Sequence, residues 1–481
     1  MGSYQMLDVG KFKAALLDFL RLIDSTAEPK WRVAEHLRFP ASQSSTLSGS
    51  ELGRDLWNQT AAEQLIDTLL EDENIRRWFG PDNQWPEESR LRELRAQLAS
   101  LVDAWNAHQA TPGEITTEWG DSLLRALRTR ETYCSRTRVL YGVQLTKSIE
   151  ILPGLTIEPA SPDLLIQNLA KFGASARDAL RIPQRSAVLV RAVVGGNRDD
   201  YRWDAATWGF AWTVTMVENV RWDIWLATGV LPRLGDEFVT EPSEFPVFPP
   251  ERYPASYRES HAFALDKEDA LIDAALLLEI HKRTDVLRGE PESFPEEAVA
   301  PLWVANTFFD PAIDSADSLM TVLLAYAGCE GLLLQKEEDD SRFGPRLALL
   351  IGCDTGEQRR LRKVAARWME LRGFAAHGRR PPIEVMASFL EQQVSPEDLS
   401  GSLLGVEKIR GHARSRASTL FRRVFLAMLF CCIALDDDDS PRAQFTRDQV
   451  IAILERAASG DNVARREIAS MVPQFVRDIA L

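Results

Sequence analysis

The sequence predicts a mostly helical α+β fold, with a helical N-terminal region, a β-rich middle domain and a C-terminal helical bundle. Three observations predict this class. Apolar residues recur at helical spacing up to about residue 135, short β-branched and aromatic runs replace that pattern from about 138, and helical spacing returns beyond 298. The chain has 481 residues, enough for about three domains.

The N-terminal region, residues 1–135, is predicted to be helical throughout. Its first helix, Lys11 to Ile23, places apolar side chains on one face. The same spacing recurs in Ala61–Leu70, Glu87–Ala107 and Glu118–Arg130. No motif in this region indicates a reaction, so we consider it a possible binding region for a trigger or a partner protein.

The middle domain, residues 136–297, is predicted to contain a sheet and a few helices. The predicted strands are Arg138–Thr146, Leu155–Glu158, Ser186–Val194, Trp208–Glu218 and Arg221–Thr228. Five tryptophans lie between Trp203 and Trp225. Tryptophans at alternating strand positions favour a sheet core, and a stacking platform for bases is the alternative.

Helices and a linker complete the middle domain. Ser161, followed by Pro162, is predicted to begin a helix that ends near Phe172. An amphipathic helix is predicted over Lys267–Arg283, and Gly289–Pro301 is predicted to be a linker.

Beyond the linker the sequence predicts a helical bundle over 298–435, and two further helices over 436–481 that pack on it. Ser315–Gln335 is apolar on nearly every side, which predicts a buried central helix. The other predicted helices are Pro345–Ile351, Gln358–His377, Pro382–Gln392, Lys408–Leu435, Arg447–Ala458 and Asn462–Ile479. Four aspartates, Asp436 to Asp439, lack the spacing and glycine of a calcium loop and predict a solvated turn.

Charge is unevenly distributed along the chain. The net charge is −15, which argues against binding of a polyanion by the whole chain. Residues 341–425 nevertheless contain 16 Lys and Arg against 8 Asp and Glu. This basic region either binds nucleic acid or pairs with the acidic remainder of the chain.

Several classes of protein are excluded at this stage. The longest apolar run, Val424 to Leu435, is about 12 residues, whereas a membrane span needs about 20. The N-terminus lacks the pattern of a secretory signal. The five cysteines and six histidines are scattered without metal-ligand spacing. We therefore expect a reduced, cytoplasmic protein with no metal and no cofactor.

One segment carries residues that suit a reaction: WMELRGFAAHGRR, which ends at Arg380. Arg372 and His377 are five residues apart, so on an ideal helix their side chains point about 140° apart. A glycine directly after His377 predicts the end of the helix there, and Arg379 and Arg380 follow. Histidine transfers protons near neutral pH and arginine stabilises charge on phosphate oxygens. Without metal ligands, this set suits cleavage of RNA through its own 2′-hydroxyl.

The surrounding sequence resembles the HEPN family, and in particular its ApeA-like branch. MELRGFAAHG fits the family's arginine–histidine motif at Arg372 and His377. AYAGCEGLLLQ is similar to the first long helix of the family, with its glutamate at Glu330, and GPRLALLIG to the second, with its arginine at Arg346. VLYGVQLTKSIEILPGLTIEPASPD resembles the β-rich segment that precedes the bundle. The resemblance is close over 315–380 and loose over 138–435.

The resemblance implies a metal-independent endoribonuclease that serves as a toxin or an antiphage effector. It implies a homodimer in which both subunits contribute Arg372 and His377 to one composite site. Arg379 and Arg380 would then bind RNA, and Glu330 would support the site by pairing with Arg346 or Arg372. Many active members have a polar residue after the arginine, where this chain has Gly373. The alternative is therefore an inactive scaffold or sensor that dimerises and binds RNA or a protein.

Overall fold

The structure is a computed structural model of the full chain. It describes residues 7–25, 59–79, 112–118, 120–128, 131–161, 186–197, 203–240, 251–253, 269–288, 296–314, 318–377, 381–391 and 403–480, with a few single positions between these ranges. The fold is mostly helical α+β, with an antiparallel sheet in the middle of the chain and helices on either side of it in sequence, which confirms the predicted class.

The chain folds into two compact units. The first contains residues 1–222 and 230–272, and the second contains residues 223–229 and 273–481. The predicted boundaries of four domains stay predictions.

The helices at the start of the first unit form a core of their own. They are α1 (Val9–Ser25), α2 (Thr60–Leu69), α3 (Glu73–Phe79), α4 (Pro112–Glu118) and α5 (Gly120–Arg128). Phe12, Leu16 and Phe19 on α1 are fully buried in this core, as their helical spacing predicted. The predicted helix Glu87–Ala107 lies almost wholly outside the described residues.

The first unit also contains a six-stranded antiparallel sheet, in the order β3-β4-β5-β1-β6-β7. Its strands are β1 (Glu131–Tyr141), β3 (Ile149–Leu152), β4 (Leu155–Ala160), β5 (Ala187–Asn197), β6 (Arg233–Thr240) and β7 (Glu251–Tyr253). A short parallel pair, β2 (Val143–Gln144) with β8 (Ala270–Leu271), accompanies it. The first three predicted strands are confirmed by β1 with β2, by β4 and by β5.

The tryptophan-rich segment is a helix, so two predicted strands were wrong. Residues predicted as Trp208–Glu218 and Arg221–Thr228 form one helix, α6 (Trp203–Thr228). Aromatic and β-branched residues are typical of strands, and a helix that is apolar on most sides shows no clear period to contradict that interpretation. Trp222 and Trp225 are both buried, three residues apart on one helical face. The predicted sheet core is therefore wrong for this segment, whereas the stacking platform for bases stays a prediction, because the side chains of Trp203, Trp208 and Trp212 lie outside the described residues.

The second unit is a helical bundle. Its helices are α7 (Ala274–Asp285), α8 (Glu296–Asp314), α9 (Ser318–Leu333), α10 (Phe343–Ile351), α11 (Thr355–Ala376), α12 (Ile383–Leu390), α13 (Leu403–Cys432), α14 (Arg447–Ala458), α15 (Asn462–Met471) and α16 (Gln474–Arg477). The aromatic side chains Tyr326, Phe343, Trp368 and Phe389 pack together at its centre. The central position predicted for α9 is confirmed by this packing.

Local capping explains where several boundaries differ from their predictions. The predicted start of α7 was wrong by seven residues, because Asp273 accepts hydrogen bonds from the N–H groups of Ala275 and Leu276 and begins the helix there. The predicted linker Gly289–Pro301 contains the first turns of α8. Pro473 divides the last predicted helix into α15 and α16.

The four aspartates form a turn, as predicted. α13 ends at Cys432, and the next residues form β9 (Ile433–Leu435), which pairs with β10 (Pro441–Ala443) in a small hairpin. The Asp436 carboxylate accepts from the N–H groups of Asp438 and Ser440 inside the turn. Among the described helices, none is long and apolar enough to cross a bilayer.

Candidate functional site

The helix α11 is anchored one turn before Arg372. Trp368 is fully buried, and its indole N–H donates to the Val322 carbonyl at 3.1 Å. Its ring meets Tyr326 edge-on, with ring centroids 5.5 Å apart. Because a buried indole is held both by packing and by a hydrogen bond, the C-terminal part of α11 has a defined position against α9.

Arg372 lies between two carboxylates at the surface of the bundle. One guanidinium nitrogen is 3.2 Å from Glu330 and the other is 3.1 Å from Asp340. The guanidinium carbon lies 5.2 Å from the centre of the Tyr326 ring. The Arg372 side chain is still 38% exposed, so solvent and ligands reach it. The arrangement holds a cation in place without enclosing it.

Burial disfavours charge on the groups around Arg372. Burial raises the pKa of Glu330 above the ordinary value of a glutamate. The negative charge of Asp340 raises it further, and the positive charge of Arg372 lowers it by less than burial raises it. Burial, and then the charges of Glu330 and Asp340, likewise raise the pKa of Tyr326. The tyrosine therefore stays neutral, and the glutamate carries its charge less readily than an exposed one does.

His377 stands at the end of α11, as predicted. The backbone N–H of His377 donates to the Gly373 carbonyl at 3.3 Å, and the backbone N–H of Arg379 donates to the Phe374 carbonyl at 2.9 Å. This last bond closes the six-residue loop typical of a helix that ends with glycine. The His377 side chain is exposed. Within the described part of the chain its imidazole contacts neither Arg372 nor a carboxylate, so a single chain does not bring the predicted pair together.

Arg346 belongs to a different cluster. Its buried guanidinium donates to the Leu333 carbonyl at 2.7 Å and to both carboxylate oxygens of Glu338 at 2.5 and 2.7 Å. Glu455 accepts a further bond at 2.6 Å. The Arg346 hydrogen bonds lower the pKa of Glu338 to about 2. Of the two partners expected for Glu330, the structure therefore pairs it with Arg372.

Most arginines of the basic region pair within the bundle. Arg360 and Arg416 share Glu391, and Arg423 contacts Glu357. Glu391 and Glu357 lie inside the basic region itself, so these pairs differ from the expected pairing with the acidic remainder. That pairing is seen for Arg342 and Arg346 with Glu455 and for Arg372 with Glu330. Five cations differ: Arg359, Arg362, Lys363, Arg379 and Lys408 are exposed and have no carboxylate partner among the residues whose positions are described. Arg380 lies outside those residues.

Sequence reasoning missed two neighbours of Arg372 and three of the free cations. Asp340 lies in a one-turn helix, Asp340–Arg342, and Tyr326 one turn before Glu330 on α9. Asp340 lies in no motif, and Tyr326 lies within AYAGCEGLLLQ, a segment in which the resemblance points only to Glu330. Arg359, Arg362 and Lys363 did carry a signal, because they stand at positions i, i+3 and i+4 of a predicted helix.

Among the described residues, no group of three or more His, Cys, Asp or Glu side chains is arranged to hold a metal ion. Comparison of the chain with protein-family models, with curated proteins and with solved structures found no match.

Proposed function

We propose that the second unit is a metal-independent endoribonuclease of the HEPN type, with Arg372 and His377 as its catalytic residues. One observation carries this proposal. The C-terminal end of a firmly anchored helix presents two groups to solvent. One is the Arg372 guanidinium, which is partly exposed, and the other is the His377 imidazole, which is exposed and has no partner among the described residues. Such a pair supplies the charge stabilisation and the proton transfer that transesterification of RNA requires.

In the proposed reaction His377 takes the proton of a ribose 2′-hydroxyl. The 2′-oxygen attacks the adjacent phosphorus, the bond from phosphorus to the 5′-oxygen breaks, and a 2′,3′-cyclic phosphate forms. Arg372 stabilises the charge on the non-bridging oxygens, which it does by exchanging a carboxylate contact for a phosphate contact. A second imidazole returns a proton to the leaving 5′-oxygen.

The second imidazole comes from another copy of the chain. Arg372 and His377 point about 140° apart around α11, and the described contacts place Arg372 against Glu330 on α9 rather than beside His377. A two-fold arrangement of two such helices brings two arginines and two histidines to one cleft. The proposal therefore includes a homodimer with a composite site.

The test is an RNA-cleavage assay with the full chain in the presence of EDTA. We expect cleavage that EDTA does not abolish, products with a 2′,3′-cyclic phosphate or its hydrolysed form, and no cleavage of DNA. His377→Ala and Arg372→Ala should each lower the rate by about 10²–10⁴-fold. His412→Ala is the control, because His412 is also an exposed histidine of the basic region. Cleavage by His377→Ala at the wild-type rate would refute the proposal.

The same two variants test the two-fold arrangement. If Arg372 of one subunit acts with His377 of the other, a mixture of Arg372→Ala and His377→Ala chains regains part of the wild-type rate. Each mixed dimer keeps one arginine and one histidine in the shared cleft, whereas each pure variant lacks both copies of one residue. If both residues act within one chain, mixing restores nothing. A monomer by light scattering, with and without RNA, would also contradict the composite site.

A second candidate function is an inactive scaffold that dimerises and binds RNA or a protein. The two carboxylates beside Arg372 favour it, because they already neutralise the guanidinium. This candidate predicts no cleavage of any RNA and a folded, dimeric His377→Ala variant that is indistinguishable from wild type. A role as a toxin or an antiphage effector stays a prediction under either candidate.

A further inference from the structure

We propose that the exposed basic face of α11, formed by Arg359, Arg362 and Lys363, is the track along which the backbone of single-stranded RNA approaches His377. This inference rests on the proposed function, and it adds a binding surface that the arginine–histidine motif does not include.

Helical geometry places this face on the same side of α11 as His377. Arg359 and His377 are 18 residues apart, which is five turns at about 3.6 residues per turn, so they share one direction around the axis. Arg362 and Lys363 point within about 60° of that direction, whereas Arg372 points about 140° away. The track is about 27 Å long at a rise of about 1.5 Å per residue.

The charges on this face are available for binding. Arg359, Arg362 and Lys363 are exposed, and none pairs with a carboxylate of the described chain. The Glu370 carboxylate on the same side is already held by Arg367 at 2.8 Å. Nearby arginines of the same region are engaged, as Arg360 is by Glu391. The face therefore keeps three uncompensated positive charges in a chain whose net charge is −15.

The surface between these charges and His377 is open. Ala366 is exposed, and a Cβ atom added at Gly373 would meet no atom within 4 Å. A strand that follows the cations therefore passes Ala366, Gly373 and the Glu370 carboxylate, which Arg367 holds, before it reaches the imidazole. Many family members have a polar side chain at the position of Gly373. In this chain the glycine leaves the helix surface there without a side chain, so nothing at this position obstructs the strand.

A linear row of cations fits a polyanion better than it fits a protein. Protein interfaces are built around aromatic and aliphatic anchors, and the exposed positions here, from Arg359 to Arg367, are basic residues and one alanine. Single-stranded nucleic acid is bound by positive grooves that follow its backbone. RNA is favoured over DNA because the track leads to the proposed 2′-hydroxyl chemistry.

The test measures binding of a fluorescent 2′-O-methyl oligouridine of about 12 nucleotides, a length within the range that single-stranded sites cover, to the full chain. The 2′-O-methyl group removes the nucleophile, so that binding is measured without cleavage. The variant is Arg359→Ala/Arg362→Ala/Lys363→Ala. The control with the same change of charge is Lys408→Ala/Arg442→Ala/Arg466→Ala, three exposed cations on other elements of the second unit. Circular dichroism checks that each variant is folded.

Each phosphate contact to a single strand contributes about 0.7 to the slope of log K against log salt. We expect the magnitude of this slope to be smaller by about 2 in the track variant than in wild type. When salt rises from 50 to 200 mM, the loss of affinity should therefore be about 20-fold smaller for the track variant than for wild type. The control triple variant should keep the wild-type slope. Arg359→Lys/Arg362→Lys should also keep it, because the charges remain.

An unchanged slope in the track variant, or no binding of the oligonucleotide by wild type, would overturn the inference. Displacement of the oligonucleotide by polyglutamate of equal charge at equal concentration would overturn the assignment to RNA in favour of an acidic protein. The proposed nuclease fails separately. If the track variant loses its slope while His377→Ala cleaves RNA at the wild-type rate, the track stands and the catalytic assignment falls.

Discussion

Arg346 and Arg372 both lie in the bundle and both contact two carboxylates, but their surroundings differ. The Arg346 side chain is 2% exposed, donates to a backbone carbonyl as well, and makes contacts of 2.5–2.7 Å. The Arg372 side chain is 38% exposed and its contacts are 3.1–3.2 Å long. The first arginine is enclosed by its partners, whereas the second is held at the surface.

This difference separates a structural arginine from one that can exchange partners. A buried, fully bonded guanidinium leaves unpaired groups behind when it moves or is removed, which is costly. A partly exposed ion pair is screened by water and contributes about 0–1 kcal/mol. Only Arg372 can therefore release a carboxylate and take up a phosphate at low cost. Residue type alone does not distinguish the two.

The largest effect we predict on stability is at Arg346. Arg346→Ala should lower the free energy of unfolding by about 3 kcal/mol, because several bonds to a charged group and a buried stem are lost. Arg372→Ala should lower it by less than about 1 kcal/mol. Urea unfolding of both variants measures the difference. Equal losses would show that exposure does not separate the two clusters.

A smaller effect is expected from pH. The pKa of Glu338 is lowered to about 2, so below its ordinary value near 4.3 the unfolded chain binds a proton that the folded chain does not. Its stabilising contribution, about 2 kcal/mol, is therefore present above pH 5 and lost as the pH falls towards 2. The contribution of Glu330 to the free energy of unfolding changes with pH in the opposite direction. Burial raises its pKa, so this contribution falls as the pH rises.

Urea midpoints between pH 2.5 and 7 test these signs. Glu338→Gln should lose stability mainly near neutral pH and show a flatter acid limb than wild type. Glu330→Gln should show an acid limb at least as steep as that of wild type. If both variants flatten the limb equally, the two carboxylates do not differ in the way the clusters imply.

The smallest effect is expected at Gly373, beside Arg372. This glycine lies inside α11 without a positive φ, and a Cβ there meets open space. Gly373→Ala should therefore stabilise the protein by about 0.5–1 kcal/mol through helix propensity. Gly229→Ala is the contrasting variant, because Gly229 has φ +78° and its added Cβ would lie 2.5 Å from Arg422. The midpoint temperature of thermal unfolding should rise for Gly373→Ala and fall for Gly229→Ala.

The capped amphipathic helix α14 was predicted well, whereas the start of the capped helix α7 was not. Arg447–Ala458 was predicted to the residue, because Thr446 and Gln449 form a capping box in front of a regular apolar stripe. The end of α11 at His377 was predicted from the glycine that follows it. The tryptophan-rich α6 was wrong, because a segment that is apolar on most sides has no period to reveal its structure.

The candidate site was predicted only in part. Arg372 and His377 stand five residues apart in a motif, and motif spacing is a local property that sequence shows directly. Their neighbours are not local. Asp340 is 32 residues from Arg372 in sequence, and it reaches the guanidinium because the one-turn helix before α10 packs near the end of α9. No spacing rule connects residues that meet through such packing.

The sequence by itself determined the helical periodicity, the caps and the face of α11 on which His377 and the basic row stand, because each follows from neighbours within a few turns. Only the tertiary structure decided which charges are compensated. Arg346 and Arg372 carry the same group, yet the first is 2% exposed and the second 38%. Arg359 and Arg360 are adjacent in sequence and both exposed, yet Arg360 pairs with Glu391 and Arg359 has no carboxylate partner among the described residues. Burial and ion pairing depend on surfaces that distant segments bring together, and these surfaces exist only once the chain has folded.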